Sequence, residues 1–313
     1  MSTGLSIEGA CPVGGWGVIS ARGAEAGKFL QGQLTNDILG LGNDRACLAG
    51  FCSAKGRLQA NFIVWQPAPD DFRLACSSSI LVATLKRLSM FVLRAKCRLA
   101  DASQELALWG VAGAAAETGL GNAALWERRD IEASTWIRVA DARGVRRALV
   151  AVPAGAAFAP PAAGNLTAEA WRWMEVQSGV VTIEAGTVDR FVPQMVNYEL
   201  LGGVDFHKGC YPGQEVVARS QYRGTTRRRT FLFDCDVLPT VGQDVFSSRL
   251  PGEAAGVVAN AAARPDGAGA TALVEVRLAA LGDDELHVGA VDGPLLRRTA
   301  MPYAIPLEGE AAA

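Results

Sequence analysis

Hydrophobic positions in the first hundred residues alternate between helical and strand periods. Val18 and Ile19 close a short strand that follows a Gly-rich turn. Ala26, Phe29, Leu30 and Leu34 then share one helical face and predict a helix ending at the polar turn Thr35-Asn36-Asp37. Ala46 to Phe51 and Arg57 to Trp65 read as strands separated by Ser53-Ala54-Lys55-Gly56. That is hairpin spacing, with Gly56 free to take a positive φ. A third strand, Asp71 to Cys76, leads into a longer helix. There Leu81, Leu85, Leu88 and Val92 form one stripe, with Lys86, Arg87 and Arg94 off it.

Further along, Leu106 to Val111, Thr135 to Val139 and Arg147 to Val152 are β-rich pieces set among Ala/Gly-rich turns. Pro153 to Asn165 is small, proline-broken and uncharged, so it reads as a connecting loop. Thr167 caps a helix that runs through Trp171, Trp173 and Met174 and stops at Gly179. The two tryptophans lie on different helix faces, one for the core and one to wall a pocket. Beyond Arg227 come short strands with turn signals: Thr230–Cys235, Asp244–Ser247, Gly256–Ala261, Ala270–Arg277, Leu286–Val288 and Leu295–Arg298. They predict a terminal β-barrel. The expected division is an N-terminal α+β unit over 1–104, completed by 190–225, a second α+β unit over 105–189, and a barrel over 226–313. No solenoid-type repeat is visible, and the tail from Glu308 to Ala313 is expected to fray.

Composition narrows the function classes. The chain has 313 residues, half of them hydrophobic and a fifth charged, which excludes a disordered or low-complexity protein. Thirty basic residues stand against 32 acidic ones, a formal net charge of −2. That argues against a generally basic nucleic-acid coat and leaves room only for a local patch. No apolar run approaches the roughly 18 residues of a spanning helix, and the N-terminus does not read as a signal peptide. The expectation is a soluble cytoplasmic protein without membrane contact. Seven cysteines are scattered without a CxxC pair, so reduced thiols are expected. With only His207 and His287, neither a zinc site nor a histidine triad is expected, and no metal site is assigned.

The densest polar constellation is Phe206 to Arg219, FHKGCYPGQEVVAR. Gly209 and Gly213 bracket Cys210 and allow close backbone approach. Lys208 and Arg219 favour the thiolate, and a helix beginning near Gln214 aims its positive end at the loop. Two readings stand side by side: a reactive or ligand-contacting thiol, and a tight structural turn with a half-buried one. The basic run Arg219, Arg223, Arg227, Arg228 and Arg229, with Tyr222 among them, has three readings. It is a solvated strand edge, a partner for the carboxylates of a folate tail, or an RNA contact. Arg223 is the member singled out for function.

The run from Pro193 to Phe206, PQMVNYELLGGVDF, followed by Lys208 to Glu215, KGCYPGQE, closely resembles the signature of the YgfZ-type folate-binding proteins. LQGQLTND, Leu30 to Asp37, and the turn Lys55-Gly56-Arg57 resemble the same family's N-terminal pattern. The resemblance runs the length of the chain, and KGCYxGQE is its specific part. It implies an α+β, three-part ring-like fold shared with the aminomethyltransferase (T-protein) of glycine cleavage, with a C-terminal β-barrel. It implies a tetrahydrofolate in a central channel. It also implies partners among iron–sulfur proteins under assembly or repair, including a radical enzyme that modifies tRNA, with no direct nucleic-acid contact expected. The family's key thiol falls on Cys210, with Lys208, Gln214 and Glu215 matching around it.

Two departures from the aminomethyltransferase pattern bear on activity. The strand after the glycine turn reads Gln59-Ala60-Asn61-Phe62, so Asn61 stands where those enzymes carry their working aspartate. An amide cannot supply the negative charge. Gln177 stands where those enzymes have a glutamate for the pterin ring. The resemblance therefore implies folate contacts from Asn61, Gln177, Gln214, Glu215 and Arg223, with Cys210 and Lys208 as the reactive pair. It leads to an accessory protein for iron–sulfur enzymes, with aminomethyl transfer and tRNA modification as alternatives.

Overall fold

The alternating strands of the first hundred residues close into an antiparallel sheet. The computed structural model describes residues 7–222, 226–248, 250, 252–282 and 285–306. In chain order the first elements are β1 (Gly9–Pro12), β2 (Trp16–Arg22), α1 (Ala26–Gln31), β3 (Ala46–Cys52), β4 (Leu58–Ala68), β5 (Asp71–Ser77), α2 (Ser78–Ser89) and β6 (Arg98–Asp101). The first sheet has the order β3-β4-β5-β2-β6. The hairpin at Lys55-Gly56 is present, and Gly56 has φ +68°. Helix α1 ends at Gln31, earlier than its apolar spacing suggests. The Gln31 side chain folds back to accept from the Ile38 and Leu39 amides, and Leu34 leaves the helix to bridge Phe51.

The next stretch forms β7 (Leu106–Ala112), α3 (Ala114–Leu120), β8 (Arg128–Ile131), β9 (Ser134–Ala142) and β10 (Val145–Pro153). Its sheet has the order β1-β7-β10-β9-β8. Read from the other side, β8-β9-β10-β7-β1 repeats β3-β4-β5-β2-β6 strand for strand. The two sheets are thus topological copies, each with a helix after its β2 or β7 strand. The edge place beside β7 is filled by β1, which lies at the start of the chain. Gly9–Pro12 therefore sits in the second sheet, although it falls within the expected 1–104 unit. The copies meet edge to edge where Arg45 bridges Glu127, and the Ala46 amide donates to the Trp126 carbonyl at 2.8 Å.

After the loop following β10 come α4 (Ala168–Gln177) and α5 (Gln214–Tyr222). The Thr167 hydroxyl accepts from the Ala170 amide at 3.1 Å, the N-cap expected from the sequence. The chain ends in β11 (Arg228–Cys235), β12 (Asp244–Ser247), β13 (Gly256–Ala263), β14 (Ala270–Arg277), β15 (Leu286–Val288) and β16 (Leu295–Thr299), a closed barrel. The α+β architecture with a C-terminal β-barrel is thus observed. One apolar core joins the first sheet, α4 and the outer wall of the barrel, and a separate core fills the barrel. Among the described residues no helix is long and apolar enough to cross a membrane.

Candidate functional site

The duplicated sheets, α4 and the segment after it surround a hollow. It is narrow, with about 40 Å³ free to hold solvent, and part of its rim is open. Its walls include Trp16 from β2, Asn61 from β4, Trp126 before β8, Arg147 from β10, and Trp171 and Glu175 from α4. Trp126 holds φ at +64°, a conformation costly for an aromatic residue. Its indole Nε1 and Arg147 Nη1 are buried without hydrogen-bond partners. Tyr198 Oη, near the Asn61 amide, also closes no hydrogen bond of good geometry. Buried donors left open in one cavity wall are rare and mark a place where a ligand can complete them.

Asn61 lies in this wall, but its amide is committed to backbone. Nδ2 donates to the Val181 carbonyl at 2.6 Å and Oδ1 accepts from the Ile183 amide at 2.8 Å. From the barrel side, Asn260 holds Thr182 in the same way, through its amide N–H at 2.9 Å and its carbonyl at 2.8 Å. Two asparagines thus clip one extended segment between the first sheet and the barrel. An aspartate at position 61 would set an oxygen against the Val181 carbonyl. Asn61→Asp should therefore cost about 1–3 kcal/mol at pH 8, the penalty of a buried unpaired acceptor. The loss should shrink on acidification, because the protonated acid regains a donor and its folded-state pKa lies above the unfolded one. Urea unfolding at pH 8 and pH 5 checks this, and unchanged stability at pH 8 would disprove the clip.

Gln177 does not reach the cavity. Its Nε2 donates to Thr271 Oγ1 of the barrel at 3.1 Å, the hydroxyl that also accepts from Trp173 Nε1. The α4 side chains that line the hollow are Trp171 and Glu175. The expectation of one core and one pocket tryptophan holds, with Trp173 against the barrel and Trp171 in the wall. Trp171 Nε1 donates to Glu175 Oε1 at 3.1 Å. Burial pushes the Glu175 carboxyl above its ordinary range, opposed by Arg172, Arg147 and the indoles of Trp16 and Trp171. The cavity is therefore not without an acid, even though Asn61 is an amide. Trp16, Trp126, Arg147 and Glu175 were not singled out in the sequence, because no local motif marks them.

The sequence motifs themselves converge elsewhere. Thr35 Oγ1 donates to the Gly203 carbonyl at 2.6 Å and accepts from the Gly50 amide at 2.7 Å. Asn36 Nδ2 donates to the carbonyls of Leu48 and Gly202, both at 2.7 Å. Lys208 Nζ donates to the carbonyls of Gln31 and Leu34, at the C-terminal end of α1 where a cation is favoured. Burial lowers the Lys208 ammonium to about 8, against the opposing pull of Asp37, Asp205 and Cys210. A Cβ on Gly213, at φ +78°, would lie 2.3 Å from the Ser53 carbonyl oxygen. LQGQLTND, the Lys55-Gly56 turn and KGCYPGQE thus pack as one unit, with Lys208 holding the loop in place.

Cys210 stands in that loop, the one cysteine of the seven that is exposed. It is not among the residues lining the hollow, so the sulfur and the cavity are separate features. Gln214 and Glu215 open α5 and also lie outside the cavity lining; Glu215 is exposed and pairs with Arg219 at 2.8 Å. Arg223 lies outside the described residues. Of the basic run, Arg228 is paired with Glu275 and the buried Arg229 with Glu199. Arg229 joins the barrel to the segment before it, whereas Arg228 pairs across two neighbouring barrel strands, and neither is an unpaired solvated charge. No cluster of three or more metal-ligating side chains occurs among the described residues.

No family model matches the chain. Over 244 residues it is 32% identical to the tRNA-modifying protein YgfZ of Edwardsiella ictaluri, covering 74% of this chain and 72% of that protein. Over 243 residues it is 30% identical to the protein of the same name from Escherichia coli O157:H7, covering 74% and 73%. Among solved structures, the glycine cleavage system aminomethyltransferase T from Bartonella henselae superposes with a TM-score of 0.73 over 95% of this chain and 86% of that one. Its identity is 14%, so this likeness is one of fold.

Proposed function

Because the chain belongs to the YgfZ family, we propose that it is a tetrahydrofolate-binding accessory protein for the assembly or repair of iron–sulfur proteins. The client proposed from the relatives' printed name is an enzyme of tRNA modification. The observation that carries the folate reading is the central hollow, walled by three tryptophans and containing unpartnered buried donors. These residues suit a flat, polar-edged ligand: indoles for its faces, Arg147 and Trp126 for its acceptors, Glu175 for its donors. A bound tetrahydrofolate would supply ring nitrogens able to carry a one-carbon unit. Arg147 and Glu175 would orient it, and Asn61 with Asn260 would keep the wall closed behind it.

Cys210 serves this proposal as an exposed contact for a client or its cluster, held out by the Lys208 anchor. The rival, aminomethyl transfer, has Glu175 in its favour as a carboxyl in the cavity. An assay for methylenetetrahydrofolate formation from an aminomethylated carrier is expected to show no product, and turnover would favour the rival. Direct RNA contact through the arginine run loses support, because Arg228 and Arg229 are engaged in ion pairs. The folate reading is tested by titrating the protein with tetrahydrofolate while following tryptophan emission and heat. One saturable site with quenched emission is expected, since three of the seven tryptophans line the hollow. Absence of both signals at millimolar ligand would refute it.

A further inference from the structure

The hollow holds two opposite charges that do not meet. Arg147 on β10 and Glu175 on α4 both line it. Each acts on the other's charge through space, yet among the described residues no ion pair joins them. Glu175 is engaged instead by Trp171 Nε1 and, at 3.7 Å, by Arg172. Arg147 donates from Nε to the Ala140 carbonyl at 2.9 Å, and its Nη1 is left buried and unpartnered. Burial lowers this guanidinium to about 10, so it stays charged at neutral pH.

One indole sets both groups. The Trp171 ring lies against Gly110, where a Cβ would come within 2.3 Å of it. The Arg147 guanidinium stacks on the same ring, 4.8 Å from its centroid. A residue larger than glycine on β7 would therefore displace the ring, and with it the guanidinium. Trp171 is thus a positioning residue: its ring holds the cation and its N–H holds the carboxylate. The space between the charges is complementary to a ligand edge with an acceptor beside a donor.

We infer that Arg147 is the specificity-determining residue of this cavity, selecting a pterin whose lactam edge presents the 4-oxo oxygen to Nη1 and ring N–H groups to Glu175. This rests on the folate reading above. A 4-amino pterin would bring a donor against a donor and leave the guanidinium unpaired, a mismatch that binding sites penalise strongly.

The test is anaerobic calorimetric titration of the full chain with tetrahydrofolate and with 4-amino-4-deoxytetrahydrofolate. Wild type, Arg147→Met and Arg147→Lys are compared, with circular dichroism as the check on folding. Wild type should prefer the oxo ligand by at least about tenfold, the worth of a charge-assisted hydrogen bond. Arg147→Met should lose that preference, and Arg147→Lys should keep part of it. Should the methionine variant not fold, the lysine variant carries the comparison, because it retains the charge and lacks the second nitrogen. Binding of both ligands by wild type with equal affinity, or unchanged preference in a folded variant, would overturn the role of Arg147 while leaving the folate reading intact. No binding of either ligand by wild type would overturn both.

Discussion

Arg229→Met is expected to destabilise the protein by about 3–5 kcal/mol, because it strands a buried carboxylate. Arg229 and Glu199 pair with side chains 8% and 4% exposed. Arg229 Nη1 also donates to the Gln194 carbonyl at 2.9 Å, and thereby ties β11 to the segment carrying the PQMVNYE motif. Burial already raises the Glu199 carboxyl, with Arg229 as the main opposing influence. Removing the cation raises it further. The folded state then binds more protons than the unfolded state, so the variant should gain stability as pH falls. Urea unfolding from pH 8 to pH 5 should show the deficit largest at pH 8. A deficit below about 1 kcal/mol would mean that the pair is no joint, since that is the range of an exposed salt bridge.

Cys210→Ala should abolish rescue of a host defective in iron–sulfur protein maintenance while leaving stability within about 0.5 kcal/mol of wild type. The separation of effects follows from position. Cys210 is exposed in a loop, whereas Cys11, Cys52, Cys76 and Cys235 are buried. Burial pushes the Cys11 thiol up to about 11 and those of Cys52 and Cys76 up to about 12. Alkylation of the native protein near neutral pH should therefore label Cys210 well before the others, and mass spectrometry of the modified peptide reads this directly. Full rescue by the alanine variant would remove the thiol from the proposed function. Rescue lost together with the fold would instead assign Cys210 a structural role.

These two predictions draw on different kinds of legibility. The thiol was readable because its signal is local: two glycines, a lysine and a helix start within a few residues. The Arg229–Glu199 pair was not, because its partners lie thirty residues apart in sequence and meet only where the barrel docks. The arginine run left a solvated edge, a folate-tail partner and an RNA contact open, because nothing local in the chain names its partners. Two of its members are instead covered by carboxylates from Glu199 and Glu275. The strands of the barrel were legible nearly to the residue, since period-two alternation and turn residues are local properties. Strand β1 escaped notice because four residues, Gly9–Pro12, carry too short a pattern. Its pairing with β7 spans about a hundred positions.

The cavity shows the same division within one helix. Thr167, the tryptophans and Gly179 sufficed to place α4, because capping and helical period act over a few residues. Which side chain of α4 faces the ligand was beyond them. Glu175 and Gln177 are two positions apart, about 200° around a helix, so the rotation that packing imposes decides between them. Trp171 against Gly110, and Trp173 with Gln177 against Thr271, fix that rotation and turn Glu175 inward. Local chemistry in the chain thus determined the elements, the barrel and the exposed thiol loop. Only the docking of two duplicated sheets, one helix and a barrel decided which polar atoms share a wall and remain unpaired, since burial and pairing are properties of surfaces brought together.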